Sequence, residues 1–217
     1  MRSLDRLIGR QVRRPSGVLG WALGHVMAFE HRGLADWAFS QLDLRPDDIV
    51  LDIGCGAGMG LKAAGTIAEQ GMVVGVDYSP IMTKVSRARN QALVAEGRSG
   101  VVQANVSHLP FAAGSFDKAF SIESLYFWPD ARHGLREVRR LLKPGGRVAL
   151  AMDISLEGRD RAAIADTASR LNMSVFSRCD LERLLSDSGF LVVAVGAVPE
   201  RGKGWICATG EKPPRAG

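Results

Sequence analysis

The chain has little cysteine and no long apolar run. Its three cysteines, Cys55, Cys179 and Cys207, lie far apart, so neither a disulfide framework nor a zinc site is predicted. No apolar stretch approaches the roughly 20 residues that a membrane-spanning helix needs. The N-terminus lacks the apolar core of an export signal, and His, Asp and Glu are not clustered at metal-ligand spacing. These absences predict a cytoplasmic protein with reduced cysteines and no metal.

Acidic residues are almost absent from the first 14 positions, where five arginines face only Asp5. This segment supplies most of the net charge of +5. Because the remainder of the chain is nearly neutral, the charge does not predict a nucleic-acid partner. Apolar residues recur at helical spacing between the arginines, so residues 2–14 contain a predicted amphipathic helix. This helix either folds over the rest of the chain as a lid, the favoured alternative, or makes a peripheral contact with an anionic membrane.

Short β-type apolar runs alternate with helical segments after residue 46. This alternation predicts an α/β fold, a doubly wound, mostly parallel sheet with helices on both faces. The last two strands are separated only by a short glycine-containing loop, so they are predicted to be antiparallel. The predicted strands are 49–53, 72–76, one beginning at 101, 116–122, 146–152, 190–198 and 205–209. The predicted helices are 3–13, 18–30, 34–42, 59–70, 81–96, 131–142, 156–171 and 180–188.

Three glycines, Gly54, Gly56 and Gly58, directly follow the first predicted strand in the segment VLDIGCGAG. The first strand-to-helix turn of such a sheet is where ligands bind. Glycine permits positive φ and lets a ligand approach the backbone, and the next helix directs its free N–H groups at that ligand. The dinucleotide pattern needs glycine or alanine where Met59 stands. A nucleotide-binding oxidoreductase is therefore the less favoured alternative.

Five segments, in order, resemble the motifs of the class I S-adenosylmethionine-dependent methyltransferases, of the small single-domain, methyltransferase type 11-like kind. The segments are VLDIGCGAG (50–58), VVGVDYSP (73–80), VVQANVSHLPF (101–111), FDKAFSIESLYFWPD (116–130) and LLKPGGRVAL (141–150). The resemblance implies a Rossmann-like, seven-stranded sheet with the order 3-2-1-4-5-7-6. It also implies S-adenosyl-L-methionine as methyl donor and S-adenosyl-L-homocysteine as product. The predicted division is an N-terminal helical lid (1–45), a catalytic domain (46–210) and a disordered tail (211–217).

The resemblance assigns cofactor-binding roles to residues that follow the predicted strands. Asp77 accepts hydrogen bonds from the ribose hydroxyls, and Tyr78 lies along the adenine. Asn105 replaces a common aspartate, but an amide can still pair with an adenine edge because it both donates and accepts. Asp52 acts either through the cofactor's ammonium or by bracing the loop, and both alternatives stay open. The predicted cofactor-binding set is Asp52, Gly54, Gly56, Gly58, Asp77, Tyr78, Asn105, Val106 and Ile122.

The sequence says less about the methyl acceptor than about the cofactor. A sulfonium methyl is already reactive, so alignment supplies much of the catalysis, and a base is needed only if the acceptor must lose a proton. The predicted catalytic residues are His31, Glu123 and Tyr126. The aromatic segment ESLYFW either lines the acceptor or packs on the next helix. The predicted acceptor is a small or medium organic molecule, and the alternative is a lipid methylated at a membrane surface. The oligomeric state is not indicated.

Overall fold

A computed structural model describes residues 32–201 and 204–214 of the chain. The strands are β1 (Ile49–Ile53), β2 (Met72–Asp77), β3 (Ser99–Gln103), β4 (Phe116–Ile122), β5 (Leu142–Met152), β6 (Leu191–Val198) and β7 (Trp205–Glu211). The α-helices are α1 (Arg32–Leu42), α2 (Met59–Ile67), α3 (Pro80–Arg89), α4 (Gln91–Ala95), α5 (Ala131–Leu141), α6 (Arg161–Leu171) and α7 (Arg178–Asp187). A short 3-10 helix, Leu125–Phe127, follows β4.

The seven strands form one sheet with the order β3-β2-β1-β4-β5-β7-β6, which confirms the predicted order. β1 pairs in parallel with β2 and β4, and β3 and β5 extend the parallel part on either side. β7 is antiparallel to both of its neighbours, as predicted. The carboxyl ends of β1, β2, β4 and β5 therefore lie along one edge of the sheet, which is where such folds bind their ligands.

Side chains on both faces of the sheet are buried, which explains why the sequences of the strands are continuously apolar. Leu51 and Leu150 belong to a core cluster beneath α5 and α7. Val50 and Phe120 belong to the cluster on the opposite face, beneath α1 and α2. That second cluster contains Leu34, Phe39 and Leu42 of α1. α1 therefore belongs to the core of the domain, although the sequence placed it within the predicted lid segment.

Several predicted boundaries are wrong. The predicted helix 81–96 is two helices, because the side chain of Asn90 bonds the carbonyl oxygens of Ser86 and Gly58 and the helix ends there. The predicted helix 156–171 begins at Arg161, where Asp160 caps it. β5 begins at Leu142, which pairs with Phe116 before an irregular turn at 145–146. Leu142 was predicted to be helical.

The end of the described chain also differs from the prediction. Glu211 is the last residue of β7 and forms an ion pair with Arg147. The backbone N–H of Lys212 donates to the carbonyl oxygen of Gly146, and the N–H of Gly145 donates to that of Lys212. The sheet therefore includes position 211, which the sequence assigned to a disordered tail.

Some predictions lie outside the described residues. They are the helices 3–13 and 18–30, the basic arm 2–14 and the candidate base His31. Among the helices that the structure describes, none is long and apolar enough to cross a bilayer.

Candidate active site

The glycine loop joins β1 to α2 and turns back against the end of β2. The backbone N–H groups of Gly54 and Cys55 both donate to the carbonyl oxygen of Val76, at 2.8 and 3.0 Å. Gly54, Gly56 and Gly58 have φ values of +75°, +49° and +79°. Side chains other than glycine rarely adopt this left-handed region, so the conformation accounts for all three glycines.

The three glycines differ in what surrounds them. A Cβ at Gly54 would lie 2.3 Å from Cβ of Ser124, and one at Gly58 would lie 2.4 Å from Oγ of Ser86. A Cβ at Gly56 would have no neighbour closer than the carbonyl oxygen of Gly54, at 4.0 Å. Gly54 and Gly58 are thus required by packing within the protein. Gly56 borders open space, where a ligand can approach the backbone.

Asp77, the last residue of β2, lies directly beside this loop. Its Oδ2 accepts a hydrogen bond from the backbone N–H of Gly56 at 2.9 Å, and its Oδ1 accepts one from Ser79 at 2.7 Å. Burial raises the pKa of Asp77, and these two hydrogen bonds lower it. A carboxylate offers about four lone-pair sites, so each oxygen can accept one more hydrogen bond. The neighbouring Tyr78 is 51% exposed.

Asp52 in β1 is almost fully buried, with 4% of its surface exposed. Burial raises its pKa well above the usual range, and the charge of Asp77 adds to this effect. It accepts a hydrogen bond from the backbone N–H of Leu61, in the first turn of α2. Of the two roles left open by the sequence, these contacts support the bracing of the loop and helix.

Cys55 lies inside the glycine loop but is a packed residue. Its side chain is buried, and its Sγ lies 3.8 Å from Oγ of Ser86. Burial raises the pKa of this thiol well above its usual value, and the nearby carboxyl groups of Asp52 and Asp77 raise it further. The thiol therefore stays protonated and is a poor nucleophile.

The loop after β3 contains two more of the predicted cofactor residues. Asn105 is exposed, and its Oδ1 accepts a hydrogen bond from the backbone N–H of Ser107 at 3.0 Å. Val106 is half-buried and packs on the core beneath α5. Ile122 is the last residue of β4 and is also half-buried. All three residues therefore lie at or just after the carboxyl ends of parallel strands.

The segment after β4 is anchored by Ser124, which sequence reasoning did not single out. Its Oγ donates to the carbonyl oxygen of Ile53 at 2.7 Å and accepts from Nε1 of Trp128 at 3.2 Å. The ring of Trp128 fills the space beside Gly134 of α5. A Cβ built at Gly134 would lie 2.7 Å from this ring. For Trp128, the structure therefore favours packing on the next helix over lining an acceptor.

Glu123, Tyr126 and Asp153 form a hydrogen-bonded cluster after β4 and β5. The Tyr126 hydroxyl lies 3.2 Å from Oε1 of Glu123 and 3.3 Å from Oδ1 of Asp153. Glu123 has a φ of +60°, which is rare for a residue other than glycine. Strain of this kind is typical of functional sites. Burial, followed by the charge of Asp153, raises the pKa of Glu123 well above its usual value.

The structure thus brings together Glu123 and Tyr126, two of the three residues predicted to be catalytic, and places Asp153 in contact with Tyr126. The only sequence signal for Asp153 is its position, directly after a buried strand and on the same edge as Glu123. Within residues 32–201 and 204–214, no group of three or more His, Cys, Asp or Glu side chains is arranged to hold a metal ion.

The sheet order, the glycine loop after β1 and the acid at the end of β2 are typical of a Rossmann-like domain of the methyltransferase class. Residues 51–150 match the sequence profile of the family described as "Methyltransferase domain". The chain belongs to the class I S-adenosylmethionine-dependent methyltransferase family, so the resemblance seen in the sequence is confirmed.

Individual relatives are similar over part of their length. An O-methyltransferase of Pyrenophora dematioidea is 34% identical over 153 residues, which are 68% of this chain and 56% of the relative. The 27-O-demethylrifamycin SV methyltransferase of Amycolatopsis mediterranei is 40% identical over 119 residues, 54% of this chain and 43% of the relative. The chain thus spans about half the length of these curated relatives.

A solved structure shows the same fold at low sequence identity. The geranyl diphosphate C-methyltransferase of Streptomyces coelicolor, in complex with Mg²⁺, geranyl diphosphate and S-adenosyl-L-homocysteine, has a TM-score of 0.72 at 18% identity. The match covers 83% of this chain and 78% of that one. It confirms the Rossmann-like fold.

Proposed function

We propose that this protein is an S-adenosylmethionine-dependent methyltransferase whose acceptor is a small or medium organic molecule. The observation that carries the proposal is the carboxylate of Asp77, held by the N–H groups of Gly56 and Ser79 beside a loop with open space. An acid in this position accepts hydrogen bonds from ribose hydroxyls in nucleotide sites of related architecture. Membership of the methyltransferase family selects S-adenosylmethionine from among the nucleotide ligands.

The residues present fit this cofactor. A Cβ built at Gly56 would have no neighbouring atom closer than 4.0 Å, so the backbone of Gly56 is open on that side. The exposed ring of Tyr78 offers a face to the adenine, and Asn105, Val106 and Ile122 extend the binding surface along the same edge. Gly54 and Gly58 shape the loop, and Asp52 braces it from below.

When bound, S-adenosylmethionine supplies an electrophilic methyl group on a sulfonium sulfur. Glu123 and Tyr126 follow β4 and are hydrogen-bonded to each other, and we propose that they lie on the acceptor side of the cofactor. A carboxylate there can take the proton of an acceptor hydroxyl or amine. His31 remains a second proposed base, at the end of an N-terminal segment that would fold over the acceptor as a lid. Since α1 is part of the core, residues 1–31 are the part of the predicted segment 1–45 left for this role.

The named relatives support an organic acceptor, because they include an O-methyltransferase and a rifamycin methyltransferase. The membrane-surface alternative depends on the basic arm 2–14. A comparison of methyl transfer to dissolved hydroxylated compounds with methyl transfer to phospholipid vesicles distinguishes this alternative from the main proposal. Removing residues 1–14 should reduce methylation of the acceptor more than binding of the cofactor. Equal loss of both would contradict the lid.

The first experiment is a calorimetric titration of the full chain with S-adenosylmethionine and S-adenosylhomocysteine. We expect micromolar binding by the wild type. In Asp77→Ala it should weaken by about 10–100-fold, since a hydrogen bond to a charged group contributes roughly 1.5–3 kcal/mol. The matched control is Asp166→Ala, which removes an exposed carboxylate of α6.

Asp77→Ala also removes two hydrogen bonds within the protein, so its thermal unfolding must be recorded beside the binding data. Unchanged binding by a folded Asp77→Ala protein would refute the assignment of Asp77. A folded wild type that binds neither ligand would refute the proposed function itself.

A further inference from the structure

Helix α3 ends against the glycine loop. Asn90, the C-cap residue of α3, donates from its side-chain Nδ2 to the carbonyl oxygen of Gly58 at 3.0 Å. Arg89, the last residue of the helix, donates from Nη1 to the carbonyl oxygen of Ala57 at 2.7 Å. Two successive carbonyl groups of the loop are therefore held by two successive residues at the end of α3.

Asn90 donates one hydrogen bond more than the capping of α3 requires. Its Nδ2 also donates to the carbonyl oxygen of Ser86, four residues earlier, at 2.9 Å. In α7 the C-cap residue Ser188 makes the equivalent bond, from its Oγ to the carbonyl oxygen of Leu184 at 2.7 Å. A serine hydroxyl has one hydrogen to donate, whereas an asparagine amide has two. The second hydrogen of Asn90 is the one that bonds Gly58.

This additional bond is accompanied by an unpaired atom. Asn90 is 2% exposed, and its Oδ1 has no hydrogen-bond partner among the described residues. The amide cannot be turned round, because both groups that face Nδ2 are carbonyl oxygens, which only accept. A buried polar atom without a partner destabilises a fold, and a serine here would cap the helix without that cost. What the asparagine adds is its bond to the loop.

Arg89 is likewise bonded to the loop and to no carboxylate. Its side chain is half-buried, and burial lowers the pKa of its guanidinium. In the part of the chain that the structure describes, no ion pair includes Arg89. Arg87, two residues earlier, donates from Nη2 to the carbonyl oxygen of Val101 in β3, also at 2.7 Å. The two arginines thus make equivalent bonds, one to the loop and one to the sheet.

The peptide group after Gly58 sets the direction of the start of α2. Gly58 is the N-cap residue of α2 and has no side chain to cap it. The first N–H groups of a helix have no acceptor within the helix, and in folds of this kind they face the ligand. The carbonyl and the N–H of one planar trans peptide point in opposite directions. By holding the carbonyl of Gly58, Asn90 therefore also fixes the direction of the Met59 N–H.

We propose that Asn90 and Arg89 are positioning residues for S-adenosylmethionine, which hold the glycine loop and the start of α2 in the conformation that binds the cofactor. This inference rests on the proposed function. Each residue acts through a carbonyl group of the loop rather than by contact with the ligand. Without these bonds the peptide groups of Ala57 and Gly58 can rotate, and binding must then restore their orientation. That ordering lowers the affinity.

Calorimetric titration of the full chain with S-adenosylmethionine and S-adenosylhomocysteine tests both residues beside matched controls. Asn90→Ala and Arg89→Met should each weaken the binding of both ligands by about 3–10-fold, the loss expected for one hydrogen bond. The controls Arg87→Met and Ser188→Ala remove equivalent bonds that do not reach the loop. Their affinities should stay within about twofold of the wild type.

Asn90→Ser separates the capping of the helix from the bond to the loop. The serine can cap α3 as Ser188 caps α7, but its single hydrogen cannot also bond Gly58. Asn90→Ser should therefore have a higher Tm than Asn90→Ala, while its affinity for both ligands falls as far. If Asn90 had only a structural role, the affinity would instead recover together with Tm.

A folded variant of Asn90 or Arg89 that binds both ligands as the wild type does would overturn the assignment of that residue and leave the proposed function standing. Equal losses of affinity in the two controls, or a recovery of affinity with Tm in Asn90→Ser, would overturn the inference as well. If Asn90→Ala does not fold, Asn90→Ser and Arg89→Met carry the test. Failure of folded wild type to bind either ligand would refute the proposed function and this inference with it.

Discussion

Alanine at Gly56 and alanine at Gly58 should have different consequences, although both glycines have positive φ. At Gly56 the new methyl group meets nothing closer than 4.0 Å. The cost is therefore the left-handed conformation alone, about 1–2 kcal/mol. At Gly58 the methyl group would lie 2.4 Å from Oγ of Ser86 and 3.0 Å from its Cα. Overpacking adds about 1–3 kcal/mol, which brings the total to about 2–5 kcal/mol.

Thermal unfolding can resolve this difference. For a domain of this size, 1 kcal/mol corresponds to a change in Tm of about 2–4 °C. We expect Gly58→Ala to lower Tm by about 4–20 °C, and Gly56→Ala to lower it by about 2–8 °C. Binding of S-adenosylmethionine should respond in the opposite order. Gly56→Ala places its methyl group where the ligand approaches the backbone, so it should lose more affinity than Gly58→Ala at a temperature where both are folded.

Two results would refute this reasoning. Equal losses of Tm would mean that helix α3, which carries Ser86, moves aside at little cost. Unchanged affinity in Gly56→Ala would mean that the open space beside Gly56 is not the ligand site.

Two further predictions concern the thiols and a helix cap. Cys179 is exposed, whereas Cys55 and Cys207 are buried, and burial raises the pKa of Cys207 to about 12. A thiol reagent should therefore label one cysteine quickly in the folded protein and all three after denaturation, and Cys179→Ser should remove the fast phase. Persistence of that phase would contradict the assignment. In α7, Ser177 and Asp180 form a capping box, so Ser177→Ala should cost about 1 kcal/mol near neutral pH. The hydrogen bond from the Ser177 side chain is the largest factor that holds the pKa of Asp180 below 3.8. This contribution is present above that pH and is lost as the pH falls through the lower folded value, so urea unfolding should show the effect of Ser177→Ala shrinking below pH 3.8. A constant effect would show that Asp180 is not involved.

The sequence predicted the sheet and its order because strands and helices alternate clearly and the motif spacing resembles a known family. It failed where a side chain overrides helical periodicity. Asn90 divides the predicted helix 81–96 by bonding the backbone of its own helix and of the glycine loop. No local pattern marks this, because the partner Gly58 is 32 positions away.

For a similar reason, the sequence predicted only some residues of the candidate site. Gly54, Gly56 and Asp77 stand in local motifs, so their meeting at one edge follows from the parallel topology. Asp153 stands in no motif, and its contact with Tyr126 joins residues 27 positions apart. Contacts of this kind depend on which strands are neighbours and on side-chain rotamers, neither of which is encoded in a short stretch of sequence.

The position of β7 has a consequence for how the chain folds. β7 lies between β5 and β6, but it comes after both of them along the chain. During synthesis, the backbone edges of both strands stay open until residues 205–211 leave the ribosome. Unpaired edges are templates for association with other chains. A stalled or truncated product that ends before Trp205 should therefore aggregate, and chaperones that cover strand edges should matter most in that interval.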